Sequence, residues 1–167
     1  MIDIDVLAMT IEHASKWAPD TTWAGFVDFS RPADKHRFFL VNLDKAQIEY
    51  SWYTSHGSGS GGPEKATKFS NINMSRMSSR GAIKTGEIYT GKYGRSLKLH
   101  GLEKGINDNV ESRAIVMHSS TYVAPYYMNT HKYPGRSWGC ITLDPAKKDG
   151  IIDRLEGGSL LYINTND

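Results

Sequence analysis

Residues 113–140, RAIVMHSSTYVAPYYMNTHKYPGRSWGC, place a histidine and the only cysteine of the chain at the two ends of one long loop. The apolar run over residues 114–117 predicts a buried strand that ends on His118. The β-branched Ile141 directly after Cys140 predicts that a second strand starts there. Because a cysteine is nucleophilic only as the thiolate, it needs a base or a positive charge nearby, and His118 is the candidate base for Cys140.

Cys140 has two interpretations, a nucleophile and a structural side chain. A single cysteine in a protein of this size is more often a small buried hydrophobic residue than a catalyst. Gly139 favours the first interpretation, because a residue without a side chain lets a backbone amide approach whatever binds at the sulfur. The consecutive amides of Gly139 and Cys140 could form an oxyanion hole there.

Length and composition restrict the class of protein. The chain has 167 residues, which fits one domain with its own core. Its formal net charge of +2 is too small for a dedicated nucleic-acid-binding protein, although a weakly basic surface suits acidic polymers such as cell-wall glycans. A single cysteine excludes an internal disulfide. No apolar run of about eighteen residues occurs and the first residues are acidic, so neither a membrane span nor a signal peptide is predicted in the chain as given.

The order of the elements predicts a mainly β protein. Residues 5–17 have apolar side chains at helical spacing, so residues 1–20 are expected to form an N-terminal helix packed on a single domain of residues 21–167. A second short helix is predicted over residues 146–155. Alternating patterns predict the strands, of which the first three form an antiparallel meander. The predicted strands lie at residues 25–29, 37–41, 47–53, 82–89, 96–101, 114–117 and 159–164.

Residues 55–63, SHGSGSGGP, form a glycine-rich loop directly after a predicted strand. A flexible linker is one interpretation, and a loop that lines a cleft is the other. A phosphate-binding loop is not expected, because no lysine follows at Walker spacing and no helix pattern begins at once.

Six short motifs recur in the order found in a known enzyme family. They are SHG (55–57), FSN (69–71), GKYGRSL (91–97), LHGL (99–102), RAIVMH (113–118) and GRSWGC (135–140). On these motifs the chain resembles the L,D-transpeptidase family, the cysteine enzymes of peptidoglycan with a YkuD-type catalytic domain, and within it the murein L,D-transpeptidase catalytic domain branch. The resemblance covers about residues 26–162. It implies a mainly β catalytic domain, a β-sandwich or barrel with two short helices.

The resemblance also implies a reaction. The cysteine would attack the carbonyl of meso-diaminopimelate in a stem tetrapeptide, terminal D-alanine would leave, and a thioester would remain on the enzyme. Transfer of the acyl group to an amine gives a 3,3 cross-link, whereas transfer to water trims the tetrapeptide to a tripeptide. Cleavage of cross-links by the same cysteine is a third outcome.

By the same resemblance, Cys140 is the nucleophile and His118 the base. Ser119 would hold the imidazole in its tautomer, and the amide of Gly139 would bind the oxyanion together with that of Cys140. Arg136 would meet a substrate carboxylate at the rim of the site.

The chain departs from the commoner family pattern at two places. Trp138 replaces a histidine of the motif before the cysteine, and Ser119 and Ser120 occupy positions where glycine is more usual. The base should be unaffected, because it is assigned to the earlier histidine. The predicted substrate-binding residues are Arg136, Ser137, Trp138, Tyr122, His56 and His100.

Several side chains have two possible roles. His56 and His100 line the cleft or only bond to the backbone, and His131 is expected to face solvent. The aromatic residues 122, 126, 127, 133 and 138 form a lid or ordinary packing. A zinc site of Cys140 and histidines is not expected, because no pair has the tight spacing of zinc ligands, and no cofactor is predicted.

A non-catalytic module that binds the cell wall is the alternative function. The expected partners are peptidoglycan stem peptides, with no nucleic acid and no membrane, and the expected state is a monomer. The site of action would be the periplasm or the cell wall. Without a signal peptide, the routes to it would be phage lysis, a secretion system or a trimmed export signal, so a phage lysin or a delivered effector is one interpretation.

Overall fold

An eight-stranded sheet forms the fold within residues 2–166, the part of the chain that the computed structural model describes. Its strands are β1 (Trp23–Asp28), β2 (Phe38–Asn42), β3 (Gln47–Trp52), β4 (Gly81–Gly91), β5 (Gly94–Gly101), β6 (Val116–Ser119), β7 (Ile141–Leu143) and β8 (Leu160–Asn164). Their order in the sheet is β3-β2-β1-β8-β4-β5-β6-β7. The pairs β1–β8 and β6–β7 are parallel, and the other neighbours are antiparallel. The predicted mainly β class and the antiparallel meander β1–β2–β3 are confirmed.

The two edge strands of the sheet, β3 and β7, are connected through the residues that follow β3. The hydroxyl of Thr54 donates to the carbonyl of Thr142 at 2.8 Å, and the amide of Ser55 donates to the Thr142 hydroxyl at 3.0 Å. Gly57 and Ser137 form an isolated parallel bridge farther along. These contacts almost close the sheet into a barrel, and they join the glycine-rich loop to the loop that carries Cys140.

The largest core cluster lies against one face of this sheet. Phe38, Ile83, Leu97 and Met117 are among its fully buried side chains. Each such side chain contributes about 1.5–3 kcal/mol of burial free energy. Strands β6 and β7 place Met117 and Ile141 in this core. Because successive side chains of a strand point to opposite faces, the residues directly before and after Met117 and Ile141 point away from the core.

Three helices accompany the sheet within residues 2–166: α1 (Asp3–Trp17), α2 (Pro125–Met128) and α3 (Lys148–Leu155). Helix α1 buries Val6, Thr10 and Ala14 and contacts β1 and β8. Helix α3 buries Ile151, Ile152 and Leu155, as its sequence predicts. None of the helices in the described part of the chain is long and apolar enough to cross a membrane.

The structure differs from the predicted elements at the site loop and at the first helix. The strand expected from residue 114 begins at Val116, because Ala114 has a left-handed φ of +55° that a strand does not allow. Helix α2 and a 3-10 helix, Thr121–Val123, lie in the loop that the sequence left irregular. The first helix spans Asp3–Trp17 and not the whole of residues 1–20, and its His13 stacks on Tyr162 with ring centroids 3.7 Å apart.

Candidate active site

The strands β6 and β7 bring the predicted base and the predicted nucleophile to the same face of the sheet. Met117 pairs with Ile141 in parallel register, and both side chains point into the core. His118 and Cys140 are each one residue removed from this pair, so both project from the opposite face. The local reason is the pattern that the sequence showed, an apolar strand ending in a histidine beside a β-branched strand that starts after the cysteine.

A cavity of about 240 Å³ opens on that face. Its walls are Lys92, Tyr93, His118, Tyr122, Arg136, Ser137, Trp138 and Cys140. Six of the predicted site residues therefore lie together. Lys92 and Tyr93 were missed, although their motif was noticed, because their approach to His118 depends on the β4–β5 hairpin and not on local spacing.

His118 is held as an imidazole with only one of its nitrogens hydrogen-bonded within residues 2–166. Its Nδ1 donates to the carbonyl of Ser119 at 2.7 Å, which leaves the proton on Nδ1 and the lone pair on Nε2. Tyr93 stacks on the ring with centroids 4.1 Å apart and planes 9° from parallel. Burial lowers the pKa of His118, and the bond to the Ser119 carbonyl opposes this only in part. Ser119 thus contacts the imidazole through its carbonyl and not its side chain.

Cys140 is a partly buried free cysteine. Its Sγ accepts a weak hydrogen bond from the Val116 amide at 3.5 Å and lies 3.7 Å from the Ala114 carbonyl. Burial raises the pKa of the Cys140 thiol, while the Val116 amide and the charge of Arg113 act to lower it. The directions of the two pKa shifts therefore favour a neutral thiol beside a neutral imidazole before substrate binds.

The loop before Cys140 is fixed by a serine hydroxyl and a glycine. The Gly139 amide donates to Ser137 Oγ at 3.1 Å, and Ser137 Oγ donates to the Cys140 carbonyl at 2.9 Å. Gly139 has a φ of +121°, and a Cβ there would lie 3.1 Å from both Ile115 Cδ1 and the Met77 carbonyl. A side chain at this position would strain the loop. The Gly139 amide expected in the oxyanion hole is engaged with Ser137 in this arrangement.

His56 lies beneath this loop and not in the cavity. Its Nε2 donates to the Gly62 carbonyl at 2.7 Å, and its Nδ1 accepts from Nη1 of the fully buried Arg37 at 3.1 Å. Burial lowers the pKa of His56 to about 4, with a smaller contribution from Arg37. The His56 carbonyl accepts from the Ser137 amide at 3.0 Å, so His56 supports the cysteine loop through its backbone.

His100 also lies outside the cavity. Its Nδ1 pairs with Glu111 at 2.8 Å at the surface, and its ring packs over Gly86.

Arg136 is exposed at the rim and donates one hydrogen bond to the Gly61 carbonyl at 3.1 Å. The glycine-rich loop therefore contacts the cysteine loop at Arg136 and Ser137, but the walls of the cavity include none of its residues, so neither of its two interpretations is confirmed.

The aromatic residues of the loop divide into two groups. Tyr122 and Trp138 line the cavity, and Trp138 is 67% exposed. Tyr126 faces solvent, and Tyr127 stacks on the exposed His131 with centroids 3.8 Å apart. No group of three histidine, cysteine or acidic side chains within residues 2–166 is arranged to hold a metal ion.

Comparison with known proteins places the chain among enzymes of one type. A family model described as L,D-transpeptidase catalytic domain matches residues 2–164. Comparison with curated proteins gives no match. Among solved structures, the chain is similar to an L,D-transpeptidase from Mycobacterium smegmatis, with a TM-score of 0.51, 15% identity, and coverage of 86% of this chain and 59% of that one.

Two further structures have the same fold. An L,D-transpeptidase from Mycobacterium tuberculosis gives a TM-score of 0.53 at 11% identity, with 86% of this chain and 57% of that chain covered. The helical cell shape determining protein Pgp2 from Campylobacter jejuni gives 0.55 at 10% identity, with 96% and 55% covered. The chain thus spans less than two thirds of the length of these proteins, and at these identities the likeness shows the fold.

Proposed function

The chain belongs to the L,D-transpeptidase catalytic domain family, and on this premise we propose that it is a cysteine acyltransferase or peptidase of peptidoglycan stem peptides. The observation that supports this most directly is the shared cavity of His118 and Cys140, in which His118 Nε2 has no hydrogen bond to any of the described residues 2–166. The proposed bond is the one between meso-diaminopimelate and terminal D-alanine in a stem tetrapeptide.

The proposed first step is acylation of Cys140. His118 Nε2 takes the thiol proton as Sγ attacks the diaminopimelate carbonyl, and the proton then passes to the amine of the departing D-alanine. The C–N bond breaks and a thioester forms on Cys140. Because the site favours neutral partners at rest, we expect this proton transfer to be coupled to substrate binding and not to precede it.

We assign the developing oxyanion to the amides of Gly139 and Cys140. Gly139 would exchange its bond to Ser137 Oγ for the substrate oxygen, which places a stronger acceptor on that amide in the transition state. Arg136 uses one N–H on the Gly61 carbonyl, and its other donors are proposed to bind a substrate carboxylate. Trp138, Tyr122 and Ser137 would line the peptide.

The thioester can be resolved by water, by an amine or within a cross-linked substrate. These outcomes are carboxypeptidation, transpeptidation and cross-link cleavage. The partners are therefore proposed to be stem peptides, approached by a monomer outside the cytoplasmic membrane. A phage lysin or a secreted effector is a proposed delivery context for this chemistry.

A non-catalytic cell-wall-binding module on the same fold is the second candidate. The observation in its favour is that burial raises the pKa of the Cys140 thiol, which disfavours the reactive thiolate. Rapid alkylation of Cys140 in the native protein, compared with urea-unfolded protein, would argue against this candidate.

Mass spectrometry of purified disaccharide tetrapeptide and of whole sacculi, incubated with the protein, tests the proposal. We expect tripeptide or 3,3-linked dimer with wild type and neither with Cys140→Ala. Cleaved cross-links with intact tetrapeptide would make the protein an endopeptidase with the same nucleophile. If no product forms, or if products persist in Cys140→Ala, the proposed chemistry is wrong.

A further inference from the structure

A second cavity, of about 440 Å³, shares Trp138 with the cavity that contains Cys140. Its walls are Asn73, Met74, Arg76, Arg113 and Trp138, and we call it the arginine cavity. Two of these residues are cationic and none is acidic. The cavity therefore has a positive potential next to an exposed indole, which suits an anionic ligand with an apolar part.

Arg76 stacks its guanidinium on Trp138 at the wall of this cavity. The guanidinium carbon lies 4.1 Å from the centroid of the Trp138 ring. Within residues 2–166, the Arg76 side chain has no hydrogen bond or ion pair. Stacking engages the face of a guanidinium and leaves its N–H edge available, and that edge matches a carboxylate in a bidentate pair.

Arg113 supplies a second, immobile charge. Its Nη1 donates to the Ser70 carbonyl at 2.7 Å and its Nη2 to the Met77 carbonyl at 2.7 Å. Further bonds at 3.1 and 3.3 Å reach the hydroxyls of Ser75 and Ser79, so Arg113 is held by neutral carbonyl and hydroxyl groups. The residue next to Arg113 is Ala114, whose carbonyl lies 3.7 Å from Cys140 Sγ. The charge of Arg113 also acts on the cysteine, because it lowers the pKa of the Cys140 thiol against the larger opposing effect of burial.

The wall that carries Arg76 is built under backbone strain. Met74 and Arg76 have left-handed φ values of +65° and +57°, which cost free energy in residues with side chains. The Arg76 carbonyl accepts from the Gly59 amide at 2.9 Å, and a Cβ on Gly57 would lie 2.2 Å from that carbonyl oxygen. The glycines of the 55–63 loop therefore allow a close approach that holds the strained segment in place.

We propose that the arginine cavity binds the carboxylate of an amine acceptor, an α-amino acid end such as the free end of meso-diaminopimelate, and so selects this amine over water in the second half of the reaction. This inference rests on the proposed function and specifies its acceptor. Arg76 would bind the carboxylate, Arg113 would add a fixed charge, and Trp138 with the 88% exposed Met74 would contact the aliphatic chain.

Transfer of the acyl group from Cys140 to the acceptor amine needs no further reactant. The acceptor amine attacks the thioester carbon, a C–N bond forms, and the C–S bond breaks with its electron pair passing to Sγ. The proton released by the amine passes through His118 Nε2 to Sγ, which restores the free thiol. A carboxylate beside the attacking amine orients it, and orientation of a bound acceptor is what allows an amine to compete with water.

The experiment compares two diamines that differ only in their carboxylates. Disaccharide tetrapeptide is the donor, and equal concentrations of meso-diaminopimelate or 1,5-diaminopentane are the acceptors. Mass spectrometry gives the ratio of amine adduct to tripeptide, which is set after acylation and does not depend on the acylation rate. The variants are Arg76→Gln and the charge-matched control Arg80→Gln, since Arg80 lines a separate cavity with Glu103 and Tyr162.

We expect wild type and Arg80→Gln to prefer meso-diaminopimelate, and Arg76→Gln to lose about tenfold of that preference, the worth of one charge-assisted hydrogen bond. Equal adduct ratios for the two diamines in wild type, or an unchanged preference in Arg76→Gln, would overturn the acceptor site. Release of D-alanine is recorded in the same samples, and its absence in wild type would instead contradict the proposed function.

A binding measurement tests the arginine cavity even if no turnover occurs. In Cys140→Ala protein, titration with meso-diaminopimelate should shift the indole N–H resonance of Trp138 in a saturable manner, and 1,5-diaminopentane should not. The shift should be lost in the double variant with Arg76→Gln. A Trp138 resonance that does not respond, or that responds equally with glutamine at position 76, would contradict the proposed site.

Discussion

His118 and His56 are buried to a similar extent, with 4% and 1% of their surface exposed, yet only one of them has a nitrogen available for chemistry. Each donates one N–H to a backbone carbonyl at 2.7 Å. The second nitrogen of His56 is occupied by the guanidinium of Arg37, whereas Nε2 of His118 has no hydrogen bond within residues 2–166 and belongs to the cavity of Cys140. Burial and a lowered pKa are thus common to a structural and a candidate catalytic histidine, and the free lone pair distinguishes them.

The largest predicted effect separates the two histidines by activity. His118→Gln should lower D-alanine release by about a thousandfold, because it removes the proposed general base. Its free energy of unfolding should change by only about 1 kcal/mol, because a glutamine can still donate to the Ser119 carbonyl. Steady-state assays and urea denaturation measure both quantities. The exposed His100→Gln is the control, and a comparable loss of activity in it would break the distinction.

The second prediction separates the same histidines by stability. His56→Leu should lower the free energy of unfolding by about 3–5 kcal/mol, because the buried Arg37 loses a hydrogen-bond partner while its charge stays in the core. Urea denaturation with His100→Leu as the reference measures this. A loss below about 1 kcal/mol would show that the Arg37–His56 contact is not structural.

The third prediction concerns the pH dependence of stability that His56 causes. Its pKa of about 4 in the folded protein lies below the ordinary value of 6.5, so the unfolded chain binds more protons between these values. The contribution of neutral His56 to the free energy of unfolding is therefore complete above about pH 6.5. It is lost as the pH falls toward 4, and the loss is at most about 3 kcal/mol. Urea titrations from pH 7 to 4.5 should show this slope. If the unfolding free energy of His56→Leu protein changes with pH by the same amount, other titratable groups cause the slope.

The smallest predicted effect concerns the loop that joins the two regions. Ser137→Ala removes the acceptor of the Gly139 amide and the donor to the Cys140 carbonyl. We expect a loss of about 1 kcal/mol in stability and a decrease in activity of less than about tenfold. Ser112→Ala, at an exposed serine, is the control. A loss of activity as large as that of His118→Gln would mean that Ser137 takes part in the chemistry.

The sequence predicted His118 and Cys140 as the candidate pair because the signals that mark them are local. An apolar strand ending at His118 and a strand starting after Cys140 are visible in the period of the side chains, and family motifs fixed their roles as expectations. Their meeting on one face follows from the parallel register of β6 and β7, which the sequence did not reveal. The parallel contact of β1 with β8 was hidden for the same reason, since its strands are more than a hundred residues apart.

The role of His56 could not be read from its motif. The SHG motif indicated a cleft or a backbone contact, and the choice depends on Arg37, which reaches His56 from just before β2. Tyr93 and Arg76 were missed in the same way, because a stacked ring and a strained loop are tertiary features. Gly57 and Gly59 were the available sequence signal for Arg76, since glycines in a loop indicate a close approach of another segment.

The measurement that tests the central claim most directly is the intact mass of the protein after mixing with disaccharide tetrapeptide. We predict a covalent adduct with the mass of the disaccharide-tripeptide acyl group on Cys140, sensitive to hydroxylamine as a thioester is. The adduct should form in wild type and in His56→Leu protein at a temperature where it is folded, and should be strongly reduced in His118→Gln. No adduct in wild type, or an adduct in Cys140→Ala, would contradict the account.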